Sequence, residues 1–149
     1  MRTSLKKSSG FTMIEVIAVL MIFGVVAAVV VSYAPSTDSY KLASEEATMK
    51  GHLRYAQFRA MGDKVSWGIS FTANSYTLQK NGAPASYNLP NENSAAHNLQ
   101  AGVSITAGVG TTVSFDEWGS PGLFDILITL SVGADSRTVT VTRNTGFIQ

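Results

Sequence analysis

The stretch GFTMIEVIAVLMIFGVVAAVVV, residues 10–31, decides the fold of this chain of 149 residues. From Phe11 onward it contains 21 residues without a proline, and Glu15 is the only charged one. At about 1.5 Å per residue, a helix over 11–31 is about 31 Å long, which matches the ~30 Å hydrocarbon core of a bilayer. The stretch therefore predicts a membrane-spanning helix that begins on Phe11 and carries one carboxylate near its start.

The charged residue Glu15 is unfavourable in an apolar, membrane-spanning helix. A carboxylate there costs about 2.5–3.5 kcal/mol on insertion scales, so its presence indicates a function and a partner. Cleavage after Gly10 would create an α-amino group on Phe11, one helical turn before Glu15, and an ion pair would reduce the cost of burying both charges. The amine of a neighbouring subunit would serve equally well and would set the packing register. In the alternative, Glu15 lies at headgroup level, solvated and without a role.

The residues from Gly10 to Glu15 resemble the class III signal sequence of type IV prepilins and type II secretion pseudopilins. The resemblance implies that a membrane-embedded prepilin peptidase cuts between Gly10 and Phe11 and then N-methylates Phe11. It also implies that Glu15 becomes the fifth mature residue, which this superfamily uses for assembly. Gly24 matches a small residue of the family helix, whereas Ser32 replaces a proline of many major pilins, which argues against a major subunit.

The basic leader, residues 1–10, predicts the topology of the chain. Arg2, Lys6 and Lys7 hold the N-terminus in the cytoplasm, so the C-terminal part lies outside, in the periplasm of a two-membrane cell. An ordinary signal peptide with a later cleavage site is the alternative. Loss of the leader changes the net charge from +1 to −2, which gives no support for a general nucleic-acid-binding surface.

We expect three parts in the chain. They are a removed leader (1–10), a transmembrane and assembly helix (11–34) and a globular head (35–149). Pro35 predicts the end of the first helix. The head is expected to begin with a helix over about 38–62 and to be β-rich over 65–149.

The second helix carries one apolar stripe at helical period, which predicts the face that packs on a sheet. Glu46 and Lys50 form an i, i+4 pair on the solvent side. A face that contacts other subunits in a filament is the alternative use of the stripe. Its members are Leu42, Met49, Leu53, Ala56 and Ala60.

From Val65 the apolar period changes to two, which indicates strands. The turn signals that follow predict six to eight short antiparallel strands, among them one over 87–89 and a hairpin over 124–132 and 137–142. The segment 90–98 reads as an exposed, asparagine-rich loop. The predicted fold is α+β and pilin-like: a long hydrophobic helix continues into an amphipathic helix packed on an antiparallel sheet.

Three later motifs indicate which group within the superfamily the chain resembles. A helix over 53–60 leads directly into an alternating strand, FDEWGSPG occupies 115–122, and NTGFI occupies 144–148. Together they are similar to the group of the minor pseudopilin H and the FimT-like minor pilins, in which a glycine turn precedes the last strands.

The sequence contains no catalytic constellation, so we expect no enzyme and no cofactor. His52 and His97 are the only histidines, lie far apart in the sequence and are expected to be solvated or locally hydrogen-bonded. The absence of cysteine excludes disulfides and cysteine-ligated zinc. Carboxylates in one late loop suggest calcium, but a solvated loop is the preferred interpretation and no metal site is predicted. They are Asp116, Glu117 and Asp125.

The resemblance thus implies a minor pilin or pseudopilin, a structural subunit that is processed by prepilin peptidase and joins or primes a type IV pilus or secretion pseudopilus. Its implied partners are the peptidase, other subunits, an inner-membrane assembly platform and lipid, but not nucleic acid. The chain would be a single-pass inner-membrane protein before assembly.

Two alternatives remain open. One is a binding module at a pilus tip, an adhesin or DNA-uptake pilin, that uses the segment 90–98 or side chains of the second helix. Those side chains are Arg54, Tyr55, Phe58 and Arg59. The other is a membrane-anchored head without a role in filaments.

Overall fold

The computed structural model describes residues 10–32 and 37–149. The chain divides into two compact units, Met1–Pro35 and Ser36–Gln149, and we call the second unit the head. The predicted leader before Gly10 and the predicted helix break at Pro35 lie outside the described residues.

The first unit contains helix α1, Met13–Ser32. The helix begins two residues after the predicted start on Phe11, because Thr12 acts as its N-cap. The carbonyl of Thr12 accepts the amides of Glu15 and Val16 at 3.1 and 3.2 Å, and its hydroxyl accepts the Glu15 amide at 3.4 Å. No residue of α1 is buried, and its length and composition suit it to cross a membrane.

The head begins with helix α2, Thr37–Asp63. Its predicted apolar stripe is confirmed, since all five members are buried. Two polar residues of the same face, Glu45 and His52, are also buried, which the apolar pattern does not predict. The ion pair of Lys50 with Glu46 is confirmed at 2.6 Å, although both side chains are largely covered rather than on an open surface.

The strands of the head are antiparallel, as predicted, but they form two sheets rather than one. The first sheet has the order β3-β2-β1-β6, and β4 also pairs with β2. The second sheet has the order β5-β7-β8. Strands of the first sheet are β1 (Trp67–Phe71), β2 (Ser75–Lys80), β3 (Ala83–Pro84), β4 (Ala96–Asn98) and β6 (Thr112–Phe115). Strands of the second sheet are β5 (Ser104–Ala107), β7 (Ile126–Val132) and β8 (Asp135–Val141).

Two predictions about individual strands are wrong. Residues 87–89 form no strand; Asn81 and Gly82, both with positive φ, turn the chain back at once, so β3 is already complete at residue 84. The predicted loop 90–98 contains β4 at its end, because residues 96–98 pair with β2. Between β5 and β6 the chain changes sheets through Gly108 and Gly110, both with positive φ.

The core of the head lies between α2 and the two sheets. Its largest fully buried side chains come from β1 and its neighbours, and include Trp67, Phe71, Tyr76 and Phe115. Gly68 lets β6 approach β1 closely, since a Cβ at this position would lie 2.3 Å from the carbonyl oxygen of Val113.

The C-terminal residues are fastened to α2 by a set that we call the C-terminal clasp: Gln57, Gly119 and Gly146. The side-chain amide of Gln57 donates to the carbonyls of Gly119 at 2.9 Å and Gly146 at 3.0 Å. Ile148 forms a bridge with Val141, which continues the edge of β8. Gly119 and Gly146, one from each late sequence motif, therefore lie where an added Cβ would meet a neighbour: the Gln57 side chain for Gly119 and the Gly119 carbonyl for Gly146.

Candidate assembly site and polar cluster of the head

The predicted processing and assembly residues lie together at the start of α1. Gly10 and Phe11 precede the helix in extended or irregular backbone, and the Phe11 side chain is 84% exposed. No described atom beyond its chain neighbours lies within 4 Å of the position that a Cβ on Gly10 would occupy. The Gly10–Phe11 bond is therefore open to approach from outside the chain.

Glu15 occupies the third position of α1. Its amide is bound by Thr12, and its carboxylate is exposed in the first helical turn, where the helix dipole favours a negative charge. Among the described residues Glu15 forms no ion pair. In the uncleaved chain Phe11 has a peptide nitrogen instead of an amine, so the predicted partner of Glu15 does not yet exist.

The carboxylate of Glu15 lies beside an apolar groove along α1. The groove has a volume of about 190 Å³, and its other lining side chains are apolar. A single charged residue therefore lies at an exposed apolar surface. The other lining residues are Phe11, Val16, Val19 and Leu20.

The head contains a polar cluster that the sequence does not predict. The rings of His52 and His97 are 5.6 Å apart, so the two histidines are neighbours although 45 positions separate them. His97 is bound through Nδ1 to Glu92 at 2.5 Å and through Nε2 to Glu45 at 2.9 Å. The expectation that the histidines are solvated or locally hydrogen-bonded is wrong for His52, which is 4% exposed and is bound to Tyr76 and Pro90, both distant in the sequence.

The fold explains how these side chains meet. His97 lies opposite Tyr76 in the register of β4 and β2, and the two rings are 4.9 Å apart. Glu45 and His52 follow Leu42 and Met49 by three residues each, so they belong to the buried face of α2. The three-residue spacing on α2 could have been recognised in the sequence as a sign that Glu45 and His52 are buried. No sequence pattern indicated that β4 pairs with β2.

The two histidines differ in their protonation. Burial lowers the pKa of His52, and this effect outweighs its hydrogen bond with the Pro90 carbonyl. Burial also lowers the pKa of His97, but the hydrogen bonds to Glu92 and Glu45 outweigh it and raise the pKa above its ordinary value. Burial raises the pKa of Tyr76, so its hydroxyl stays protonated.

The basic side chains of α2 that a DNA-binding surface would use have partners within the head. Arg54 donates to the Ile148 carbonyl at 3.2 Å. Arg59 binds Asp63 at 2.9 Å and its guanidinium carbon lies 4.6 Å from the ring centre of Trp67. Both arginines thus have partners within the head, although Arg54, like Phe58 (69% exposed), remains exposed on the surface of α2.

Acidic side chains of the late loop form hydrogen bonds with backbone amides. Asp116 accepts hydrogen bonds from the amides of Trp118 and Ser120, and Asp125 accepts one from the amide of Arg143. Within residues 10–32 and 37–149, no group of three or more histidine or acidic side chains is arranged to hold a metal ion. Turn stabilisation therefore accounts for these two carboxylates.

Comparison with known proteins gives one family model and two solved structures. Residues 5–31 match the prokaryotic N-terminal methylation motif. The crystal structure of the type IV minor pilin FimU of Pseudomonas aeruginosa (strain PAO1) in space group P21 aligns with a TM-score of 0.54 at 16% identity, covering 77% of this chain and 91% of that chain. The P65 crystal form aligns with a TM-score of 0.51 at 15% identity, covering 72% and 90%. No curated protein sequence matches the chain.

These findings confirm the superfamily resemblance and the pilin-like fold, whereas the narrower placement beside pseudopilin H and FimT-like pilins stays a prediction. At this level of identity the structural likeness carries the fold alone. The chain therefore carries the prokaryotic N-terminal methylation motif over residues 5–31 and shares the fold of the minor pilin FimU.

Proposed function

We propose that this chain is a minor structural subunit that is cut between Gly10 and Phe11, methylated on Phe11 and assembled through Glu15. The observation that carries the proposal is the methylation motif over a helix whose apolar surface is entirely exposed and holds one carboxylate. A helix of this kind needs lipid before assembly and other apolar helices afterwards.

The geometry at the start of α1 supports the following proposed sequence of events. The leader keeps the N-terminus in the cytoplasm, and prepilin peptidase frees an amine on Phe11. That amine, on the same or a neighbouring subunit, pairs with Glu15, while the groove beside it receives apolar side chains. The inner-membrane assembly platform then moves the subunit from the lipid into the filament. In this proposal the head stays in the periplasm.

A type IV pilus is our preferred assembly over a secretion pseudopilus. The solved structures that share the fold are described as type IV minor pilins. The absence of proline at Ser32 agrees with a minor subunit rather than a major one. A tip-located binding module is the alternative, but its DNA-uptake form is not favoured, because Arg54 and Arg59 are engaged within the head.

Substitution of Glu15 tests the proposal. We expect Glu15→Ala and Glu15→Gln to insert and be cleaved normally but to be absent from sheared filaments, because both variants lack the charge that pairs with the amine. The measurement is the ratio of filament-bound to membrane-bound protein by immunoblotting.

Thr12→Ala is the matched control for this experiment. It removes the hydroxyl cap of α1 and leaves the carboxylate of Glu15 in place. Caps contribute about 0.5–2 kcal/mol, so a lipid-embedded helix should tolerate the loss. Normal incorporation of Thr12→Ala beside exclusion of Glu15→Gln supports a role for the charge. Normal incorporation of both Glu15 variants would refute the assembly mechanism.

A further inference from the structure

The segment 90–98 is attached to α2 by a small set of side chains. His97, on β4, bridges Glu92 in the same segment and Glu45 on α2. Beside this bridge lies an open cleft of about 570 Å³ between α2 and residues 90–100. We call Glu45, Glu92 and His97 the histidine latch.

The hydrogen bonds of the latch determine how many protons its three side chains must carry. Both ring nitrogens of His97 face a carboxylate oxygen, and an ionised carboxylate only accepts hydrogen bonds. A neutral imidazole has one N–H, so it satisfies one carboxylate and presents a lone pair to the other. The latch therefore holds both hydrogen bonds only while the group of three carries one extra proton.

The neighbouring titratable groups do not supply the positive charge of this extra proton. The Pro90 carbonyl accepts a hydrogen bond from Nε2 of His52, and burial lowers the pKa of His52, so the ring is neutral and its Nδ1 accepts a hydrogen bond from the Tyr76 hydroxyl. Glu45 is 2% exposed, and its one ion-pair partner among the described residues is His97. A buried carboxylate with a single counter-charge is costly to leave unpaired.

We propose that these residues form a proton-operated latch, in which protonated His97 holds the segment 90–98 against α2 and loss of the proton releases the segment and widens the cleft. The groups that face His97 are Glu45 and His52 from α2, Glu92 from its own segment and Tyr76 from β2. After release, the segment keeps its short pairing with β2 and the hydrogen bond between Pro90 and His52, but His97 no longer ties it to Glu45 on α2.

The direction of the switch follows from the pKa of His97. Because that pKa is raised above the ordinary value of about 6.5, the folded latch binds a proton that the open segment releases at neutral pH. The stabilisation is complete below about pH 6.5 and disappears as the pH rises through the raised pKa. A one-proton latch changes its opening equilibrium by at most about tenfold per pH unit in that window.

Hydrogen–deuterium exchange of the full chain in non-ionic detergent tests the latch. The Leu89 amide is bonded to the Ser94 carbonyl within the segment, and the Leu99 amide just after it is bonded to the Asn74 carbonyl. Amides of β7 and β8 serve as the internal reference for the intrinsic pH dependence of exchange. From about pH 6 to about pH 9 we expect exchange in 89–99 to accelerate relative to the reference, by at most about tenfold per unit between the ordinary histidine value of about 6.5 and the raised pKa of His97, and to level off above that pKa. A constant ratio would overturn the proposal.

Two variants decide whether His97 is the group that titrates. His97→Gln removes the proton, so we expect fast exchange in 89–99 at every pH, with a ratio to the reference that no longer depends on pH. Glu92→Gln, at a partly exposed position, keeps a hydrogen-bond acceptor without the charge and should move the transition to lower pH. A transition that persists unchanged in both variants would contradict the latch. A histidine NMR titration of the wild-type chain gives an independent check, since the transition in exchange must coincide with the His97 titration.

Discussion

Replacement of Gly146 by alanine gives the sharpest test of the C-terminal clasp. Gly146 has φ 64°, and a Cβ there would lie 2.1 Å from the Gly119 carbonyl oxygen and 2.4 Å from Nε2 of Gln57. The backbone of Gly119 and the side chain of Gln57 would therefore have to move apart. This displacement breaks the hydrogen bonds by which α2 holds the last turn of the chain.

The expected loss of stability in Gly146→Ala has two components. A left-handed conformation costs an alanine about 1–2 kcal/mol relative to glycine. Loss of the two shorter Gln57 hydrogen bonds adds about 0.5–1.5 kcal/mol each. We therefore expect Gly146→Ala to lower the free energy of unfolding of the head by about 2–5 kcal/mol. Gly133→Ala is the matched control, since Gly133 has φ 57° and no described atom beyond its neighbours lies within 4 Å of the added Cβ.

Urea unfolding of the full chain in non-ionic detergent measures both variants. Trp67 is fully buried, so its fluorescence reports the unfolding of the head, whereas Trp118 is 79% exposed in the native state. With similar m-values, Gly146→Ala should have the lower midpoint, and Gly133→Ala should lose only the conformational component. Equal losses in the two variants would refute the argument from close approach and leave backbone conformation as the whole effect.

Three further predictions concern the head. Leu53→Ala should cost about 2–5 kcal/mol in urea unfolding, because Leu53 is fully buried; Phe58→Ala, on the exposed side of α2, should stay within about 0.5 kcal/mol, and equal costs would contradict the packing of this helix. The lowered pKa of His52 makes stability rise with pH up to about 6.5, and the raised pKa of His97 makes it fall above that value, so urea midpoints should peak near pH 6.5; a midpoint that still rises above pH 7 would contradict this assignment. Because Arg59 is stacked and paired, the chain should not retain DNA at about 0.15 M salt in a filter-binding assay; retention that Arg59→Ala abolishes would restore the DNA-binding alternative.

The features that the sequence predicts well are those in which local pattern determines structure. The apolar run from Phe11 has the length of a bilayer, and the stripe containing Leu42 and Leu53 has helical period, so both helices are readable from spacing alone. The hairpin of β7 and β8 is likewise local, since one turn joins two alternating strands.

The features that it does not predict depend on contacts between distant positions. β5 and β6 are separated by a short glycine turn, yet one pairs with β7 and the other with β1. Nothing in their own sequences distinguishes this arrangement from a hairpin. The polar cluster has the same origin, because His97 meets Glu45 only after β4 has paired with β2.

The start of α1 shows a third limit. Periodicity places a helix from Phe11 onward, but the hydroxyl and carbonyl of Thr12 bind the first amides and move its beginning to Met13. The pattern of threonine followed three residues later by glutamate is a known signal for a helix start, and here it was overshadowed by the continuous apolar run. The Glu15 amide is thus bound in the capped first turn, whereas its side chain is exposed.

The intact mass of the protein extracted from membranes of cells with an active prepilin peptidase tests the central proposal most directly. We predict a single species that begins at Phe11 and carries one added methyl group. A species that retains the leader before Gly10, or one cut beyond α1, would contradict processing at this site and with it the proposed assembly through Glu15.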